Sequence, residues 1–281
     1  MHAPDTSHAA ESILLTSVQN GIARLTLNRP RQFNAISMDM LVAMDNALTA
    51  VATDPAVRVV VIAGNGAAFS GGHDLKEMMA NRSEPFIGAL FEQCSRVMLQ
   101  LQGLPQPVIA RVHGTATAAG CQLVAACDLA VAASEARFAT SGINFGLFCA
   151  TPGVPLSRNV SQKRAFEMLF TGEFIDAETA REWGLVNSVV PADQLDDEVA
   201  RLARLIVEKP RAVVAAGKAL FYEQLEARLV QAYGEASKAI TRNMLGADAA
   251  EGVGANISAA SSHSGWSTWW PTAEMMGTRE L

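Results

Sequence analysis

The stretch Ala68-Phe-Ser-Gly-Gly-His-Asp-Leu-Lys-Glu-Met78 carries the most information in the chain. Paired glycines stand directly before a short helical pattern, where they let the backbone turn sharply and leave the first N–H groups of the helix without partners. Such groups are donors for anions and oxyanions. A second stretch, Val112-His-Gly-Thr-Ala-Thr-Ala-Ala-Gly-Cys-Gln-Leu123, has the same form, small residues following an apolar run and opening another helix. Either turn alone is an ordinary strand-to-helix link. Two of them facing each other would polarise one carbonyl oxygen from both sides, which is how an enolate or a tetrahedral oxyanion is stabilised.

Outward from these turns the pattern alternates. Ile13 to Val18 and Ile22 to Asn28 are apolar runs joined by Gln19-Asn20-Gly21, which suits a tight hairpin. Ser37 stands at an N-cap position before Met40, Leu41, Met44, Leu48 and Val51 at helical spacing, and Asp54-Pro55 ends that helix. Val59-Val60-Val61-Ile62 is an uninterrupted apolar run expected of a strand covered on both faces. Helix 85–101 leads into strand 108–112, helix 119–127 into strand 129–133, and helix 177–183 into strand 186–190. From residue 192 onward helix follows helix, over 194–208, 211–223 and 226–244. This order predicts an α/β core over residues 12–200, a helical region over 201–250 and an atypical tail over 251–281. The tail from Gly252 shows neither periodicity, holds Trp266, Trp269 and Trp270, and is expected to be poorly ordered.

Composition bounds the function classes. Of 281 residues 49% are hydrophobic and 18% charged, which fits a globular chain. The formal charge of −6 argues against a nucleic-acid partner, which asks for a clustered basic surface. The most apolar region, 122–133, is interrupted by Asp128, so no membrane span is expected. No Lys or Arg precedes Arg24, from which a cytoplasmic location is expected. Cys94, Cys121, Cys127 and Cys149 lack metal-ligand spacing and read as reduced, packed thiols; no metal site is expected. Gly64-Asn-Gly-Ala-Ala-Phe69 begins like a dinucleotide fingerprint, but Phe69 replaces its third glycine.

The quoted stretches resemble the crotonase, or enoyl-CoA hydratase/isomerase, superfamily. Leu27-Asn-Arg-Pro-Arg-Gln-Phe-Asn-Ala-Ile-Ser37, Phe69 to Lys76, Pro107 to Gly114, Ala119 to Asp128, Leu169 to Glu173 and Ala180 to Val190 stand in the family's order and spacing over residues 12–245. The resemblance implies a spiral of ββα units, a C-terminal helical trimerisation region, a homotrimer or hexamer, and an acyl-CoA thioester as partner, with no cofactor beyond the coenzyme A of the substrate. It implies that the backbone N–H groups of His73 and Ala119 form the oxyanion hole, flanked by Gly72 and Gly120. Phe33, Asn34 and Ala35 would contact CoA. Gly72, Asp74, Leu75, Lys76 and Gly120 would line the substrate site beside the donors, Asp74 also as a helix cap and Lys76 either near the phosphates or on a solvated face.

The departures from the family concern its chemistry. Hydratases of the family carry two glutamates, and here those positions hold Gln122 and, in a strand-like segment after Phe138, Gly142. A glutamine holds a water but does not take its proton, and glycine offers no side chain. The resemblance thus implies an acyl-CoA-binding protein of the enoyl-CoA hydratase/isomerase family that stabilises a thioester enolate or oxyanion, with ordinary hydration in doubt. The alternatives are a non-catalytic acyl-CoA-binding protein or a different crotonase reaction, by an isomerase, decarboxylase, thioesterase or dehalogenase. Restoring both carboxylates by Gln122→Glu with Gly142→Glu should recover hydration. The side chains of His73, Glu84, Glu92 and Cys149 are the other titratable candidates, and His113 reads as a packed, hydrogen-bonded histidine.

Overall fold

The computed structural model describes residues 12–262. The expected hairpin opens it: β1 (Leu14–Gln19) and β2 (Ile22–Leu27) pair antiparallel around Asn20 and Gly21, at φ 52° and 78°. That conformation suits the twist of two strands joined by two residues. α1 (Met38–Thr53) begins at Ser37, whose hydroxyl accepts the Met40 N–H at 3.3 Å, and ends at Asp54. The chain then runs in ββα turns. The first contains β3 (Val59–Gly64), β4 (Ala68–Ser70), α2 (Leu75–Ala80) and α3 (Glu84–Gly103). The second contains β5 (Val108–Val112), β6 (Thr115–Thr117) and α4 (Ala119–Ala126). The third contains β7 (Leu129–Ala133), β8 (Arg137–Ala139), α5 (Ala150–Asn159) and α6 (Gln162–Thr171). β9 (Ile175–Asp176), α7 (Ala177–Trp183) and β10 (Ser188–Val190) close the series. α8 (Leu195–Val207), α9 (Arg211–Leu225), α10 (Leu229–Met244) and α11 (Ala247–Ser262) follow.

Each complete turn gives its first strand to one sheet and its second to another. The larger sheet has the order β1-β2-β3-β5-β7-β10, parallel after the hairpin; the smaller has the order β4-β6-β8-β9. One face of the larger sheet, with Val60, Ile62, Val108, Ala110 and Ala132, joins the main core beneath α1, α3 and α4. The other face, with Val59, Val61, Ile109 and Val131, packs against Leu195, Val199 and Ala203 of α8. Covering on both sides is why those strands read as unbroken apolar runs.

A buried cation ties α9 to this core. Lys218 Nζ donates to Leu101 O at 2.7 Å, Gln106 O at 3.0 Å and Asp128 Oδ2 at 2.7 Å, and Asp128 Oδ2 also accepts the Val108 N–H. The chain divides into two compact units between Ala219 and Leu220, inside α9. In the second, α10 packs with α11, and Leu229, Val230, Tyr233 and Leu245 are exposed. None of the described helices is long and apolar enough to cross a membrane.

Three features depart from the sequence reading. Two helices were not expected: α5, whose pattern Pro152, Gly153 and Pro155 interrupt and which burial of Pro152, Pro155 and Leu156 holds instead, and α6, which buries Ala165, Met168 and Leu169 at helical spacing. The tail, expected to lack periodicity from Gly252, is helical as far as Ser262. That helix is rich in alanine, so intrinsic propensity forms it where no apolar stripe announces it. The tryptophan group of the tail lies outside the described residues. Gly142 sits in a 3-10 helix, Ser141–Phe145, where a strand-like segment was expected.

Candidate active site

The two glycine-rich turns leave the C-terminal ends of neighbouring parallel strands, β4 and β6. Parallel α/β sheets bind ligands at that end of their strands. Gly72 takes φ +92°, and a methyl group on it would stand 2.9 Å from the Ala118 Cβ and 3.2 Å from the Ala119 nitrogen. Ala118 itself is held at φ 50° and donates its N–H to Ala139 O at 3.0 Å. A methyl group on Gly120 would collide with the Ser70 carbonyl oxygen. The small residues thus bring the start of α4 against the end of β4, with His73 and Ala119 beside each other.

Both N–H groups are donors without a partner among the described residues. Ile36 bridges His73 in parallel register, donating to Gly72 O at 2.8 Å and accepting the Asp74 N–H at 3.1 Å. A parallel bridge of this form uses the N–H and C=O of Ile36 and neither of those of His73. Ala119 is the first residue of α4, where no earlier carbonyl is in reach. Among the described residues neither N–H has an acceptor.

The first turn is braced from below. Asn34, fully buried at φ 52°, accepts the Arg29 N–H at 2.9 Å and donates to Asn65 O and Ala68 O at 2.8 Å and Phe69 O at 3.1 Å. Its side chain is therefore spent within the protein, while Phe33 is exposed and Ala35 half-buried beside it. Asparagine tolerates that backbone conformation, which is the signal that could have marked the residue as a brace. Asp74 caps α2 as expected, accepting from Lys76 and Glu77 N–H, and pairs with Arg29 at 2.8 Å. Burial pushes its carboxyl up, but Arg29 and the two N–H groups outweigh this and hold it below the usual range. Leu75 and Lys76 point to solvent.

The side-chain candidates separate by position. His73 Nδ1 lies 3.3 Å from Ile36 O, its ring stands edge-on to Phe91 at 5.1 Å, and burial lowers its pKa against the opposing Ile36 carbonyl. Gln122 is buried one turn into α4, with Cys94 Sγ 3.9 Å from its Oε1. Gly142 has no room for a side chain: a methyl group would meet Leu147 O at 2.6 Å and Cys149 Sγ at 2.8 Å. A carboxylate placed here by substitution would have to displace the Leu147 backbone. Thr117 and Ser141, joined by a 2.7 Å hydroxyl pair, fasten that segment to β6.

All four cysteines are buried and unpaired, and burial pushes Cys94 and Cys121 up to about 12 and Cys149 in the same direction. Glu84 and Glu92 are exposed, the second on an open groove of about 820 Å³ along α3 that Phe91 also lines. His113 is hydrogen-bonded to Gly66 O at 2.8 Å, as expected of a packed histidine.

Known proteins resemble the chain over most of its length. The profile of the family Enoyl-CoA hydratase/isomerase matches residues 17–256. The enoyl-CoA hydratase domain-containing protein 3, mitochondrial, of Rattus norvegicus is 46% identical over 242 residues, 86% of this chain and 81% of the relative. The crystal structure of an enoyl-CoA hydratase of Mycobacterium smegmatis is 56% identical and superposes with a TM-score of 0.87 over 89% of this chain and 97% of that one. The human enoyl-CoA hydratase domain-containing protein 3 is 43% identical, with a TM-score of 0.86 over 88% and 98%. These neighbours establish the expected spiral α/β fold. They also correct the expected cytoplasmic location, because five relatives at 42–46% identity are named mitochondrial. The expectation rested on the composition of the first residues alone, which says nothing of where the folded body works.

Proposed function

The chain belongs to the enoyl-CoA hydratase/isomerase family of the crotonase superfamily, and on that membership we propose that it binds an acyl-CoA thioester and stabilises the enolate or oxyanion of its carbonyl through the N–H groups of His73 and Ala119. One observation carries this reading: two unpaired N–H donors on adjoining turns, held together by close approaches that only Gly72 and Gly120 permit. Preorganised donors of this kind act where charge develops and need no reorganisation during reaction.

The reaction is a lyase- or isomerase-class conversion other than ordinary hydration, since Gln122 does not take a proton and Gly142 has no space for a carboxylate. The exposed Phe33, the neighbouring Ala35 and Lys76 stand on the rim of the first turn and would meet the CoA moiety, with Lys76 suited to its phosphates. The substrate brings its own coenzyme A, and no resident cofactor is invoked. A core over 12–200 and a helical region over 201–250 that assembles a trimer or hexamer complete the reading; the exposed Leu229, Val230 and Tyr233 of α10 support an assembly role.

Ala119→Pro tests it. Proline is tolerated at the first position of a helix and deletes one donor, so turnover of the best substrate in an acyl-CoA panel should fall by about 10²–10³ with the fold intact by circular dichroism. Full activity in a folded variant would remove Ala119 from the site. The absence of both family carboxylates favours a second reading, a non-catalytic acyl-CoA binder. Calorimetric binding across the panel without turnover of any member would establish it.

A further inference from the structure

With both family carboxylates absent, a proton at the substrate's α-carbon needs another acceptor. The three thiols near the site are pushed up by burial and stay protonated at neutral pH. Asp74 is committed to Arg29 and to the cap of α2. Glu84, Glu92 and Lys76 are exposed, and Lys218 is held by Leu101, Gln106 and Asp128. His113, hydrogen-bonded to Gly66 O, stands before β6 at the end of the β4/β6 pair opposite the turns, which leaves His73 as the titratable group at the turns.

We propose that the His73 imidazole is the general base of this site, taking the α-proton of the same acyl-CoA whose carbonyl oxygen the His73 N–H holds. The inference rests on the acyl-CoA reading above. Two geometric facts carry it. The carbonyl oxygen of Ile36 only accepts, so Nδ1, 3.3 Å away, bears the proton and Nε2 presents a lone pair. Nε2 is buried and has no hydrogen-bond partner among the described residues, while Phe91 holds the ring edge-on. A base oriented by a carbonyl on one nitrogen and unpartnered on the other is the arrangement that proton abstraction uses. A buried acceptor without a donor is costly, and a substrate proton is the donor this one lacks.

The charged groups on the elements around the ring leave it neutral. Asp74 is paired with Arg29, Glu77 of α2 accepts the Met38 N–H at 3.0 Å, and Glu92 of α3 is exposed. Burial lowers the His73 pKa further, so the free base predominates at neutral pH. In the step itself the Cα–H bond breaks and its proton goes to Nε2. The electron pair forms the carbon–carbon double bond of the enolate, and the carbonyl π pair moves to the thioester oxygen between the N–H groups of His73 and Ala119. Return of the proton from Nε2 to carbon reverses the step.

Deuterium exchange isolates that step from any later chemistry. The full-length protein is incubated with butyryl-CoA in D2O and deuteration at Cα is followed by mass spectrometry. His73→Ala keeps the backbone N–H and loses the imidazole, so exchange should fall by about 10²–10⁴ while butyryl-CoA binding, read by calorimetry, is unchanged, and added imidazole should restore part of the rate. His73→Asn retains an amide nitrogen for Ile36 O, secures the test should the alanine variant fail to fold, and should show the same loss. The wild-type rate should rise with pH through a midpoint below that of an ordinary histidine, and the variants should lack that limb. Undiminished exchange in a folded variant, or a wild type that binds butyryl-CoA without exchanging it, overturns the role of His73 and leaves the acyl-CoA reading standing. A wild type that binds no acyl-CoA overturns that reading and this one with it.

Discussion

Gly120→Ala disturbs the two donors without deleting either. A methyl group at this position would overlap the Ser70 carbonyl oxygen and stand 2.8 Å from Ser70 Cβ and 2.9 Å from its carbonyl carbon. Ser70 has no freedom to turn away, because its hydroxyl donates to Asn34 O at 3.0 Å and accepts the Gly72 N–H at 3.3 Å. Non-bonded heavy atoms rest at about 3.5 Å, so α4 and β4 must part by about an ångström. Overpacking of this kind costs about 1–3 kcal/mol. In a domain of this size each kcal/mol lowers Tm by about 2–4 °C. The parting also displaces the Ala119 N–H from its place beside His73, and a 1 Å misplacement in a catalytic constellation lowers the rate by about 10²-fold. The control is Gly217→Ala on the exposed face of α9, where a methyl group meets nothing within 4 Å. That change should stabilise by about 0.5–1 kcal/mol and leave activity alone. Differential scanning calorimetry and the butyryl-CoA exchange rate read both effects. A Gly120→Ala protein that melts with the wild type and exchanges at its rate would refute the close approach of α4 to β4 and the donor geometry built on it.

Gly142→Glu, alone or with Gln122→Glu, should lower Tm and fail to create crotonyl-CoA hydration, because Leu147 O stands where the first side-chain carbon must go; a well-folded double variant with fast hydration would contradict this. Lys218→Met takes the cation from the buried contact with Asp128 and should destabilise by about 3–5 kcal/mol in urea titration; an unchanged midpoint would show that the ammonium contributes nothing. Asp74 is held below its ordinary value of 3.8, so its contribution is present above that pH and is lost as pH falls through the folded-state value. Asp74→Asn should accordingly lower Tm at neutral pH and flatten the acid-side fall of the wild type, and parallel Tm–pH curves would show that the ion pair has no part in stability.

Local rules made much of this legible. Ser37 and Asp74 cap the helices they were expected to cap because a short oxygen-bearing side chain before an apolar or charged first turn has few other uses. The runs at 59–62, 108–112 and 129–133 became the centre of the larger sheet because both faces are covered. The smaller sheet was not legible. Its strands are two or three residues long, too short for an alternation to repeat. Asn34 likewise looked like part of a ligand contact and is a buried brace, since its partners are three carbonyls more than thirty residues away that no local pattern identifies.

Position 142 shows where the sequence reading and the structure differ in kind. From the sequence, glycine in place of a family glutamate is a side chain removed, and the remedy is to put it back. In the structure the 3-10 helix Ser141–Phe145 turns at Gly146, at φ 74°, so that Leu147 O and Cys149 Sγ close over the Gly142 Cα. Leu147 N–H returns to Gly142 O at 3.0 Å, and Thr117 pins Ser141 from the other side. The segment is therefore built around a residue without a side chain, and a carboxylate here would have to displace backbone rather than fill a gap. Gln122 is neutral and the Cys94 thiol beside it stays protonated, so neither offers a base at neutral pH. On the proposed reading, proton movement falls to the turn that carries His73, which would supply both the N–H and the imidazole from one residue.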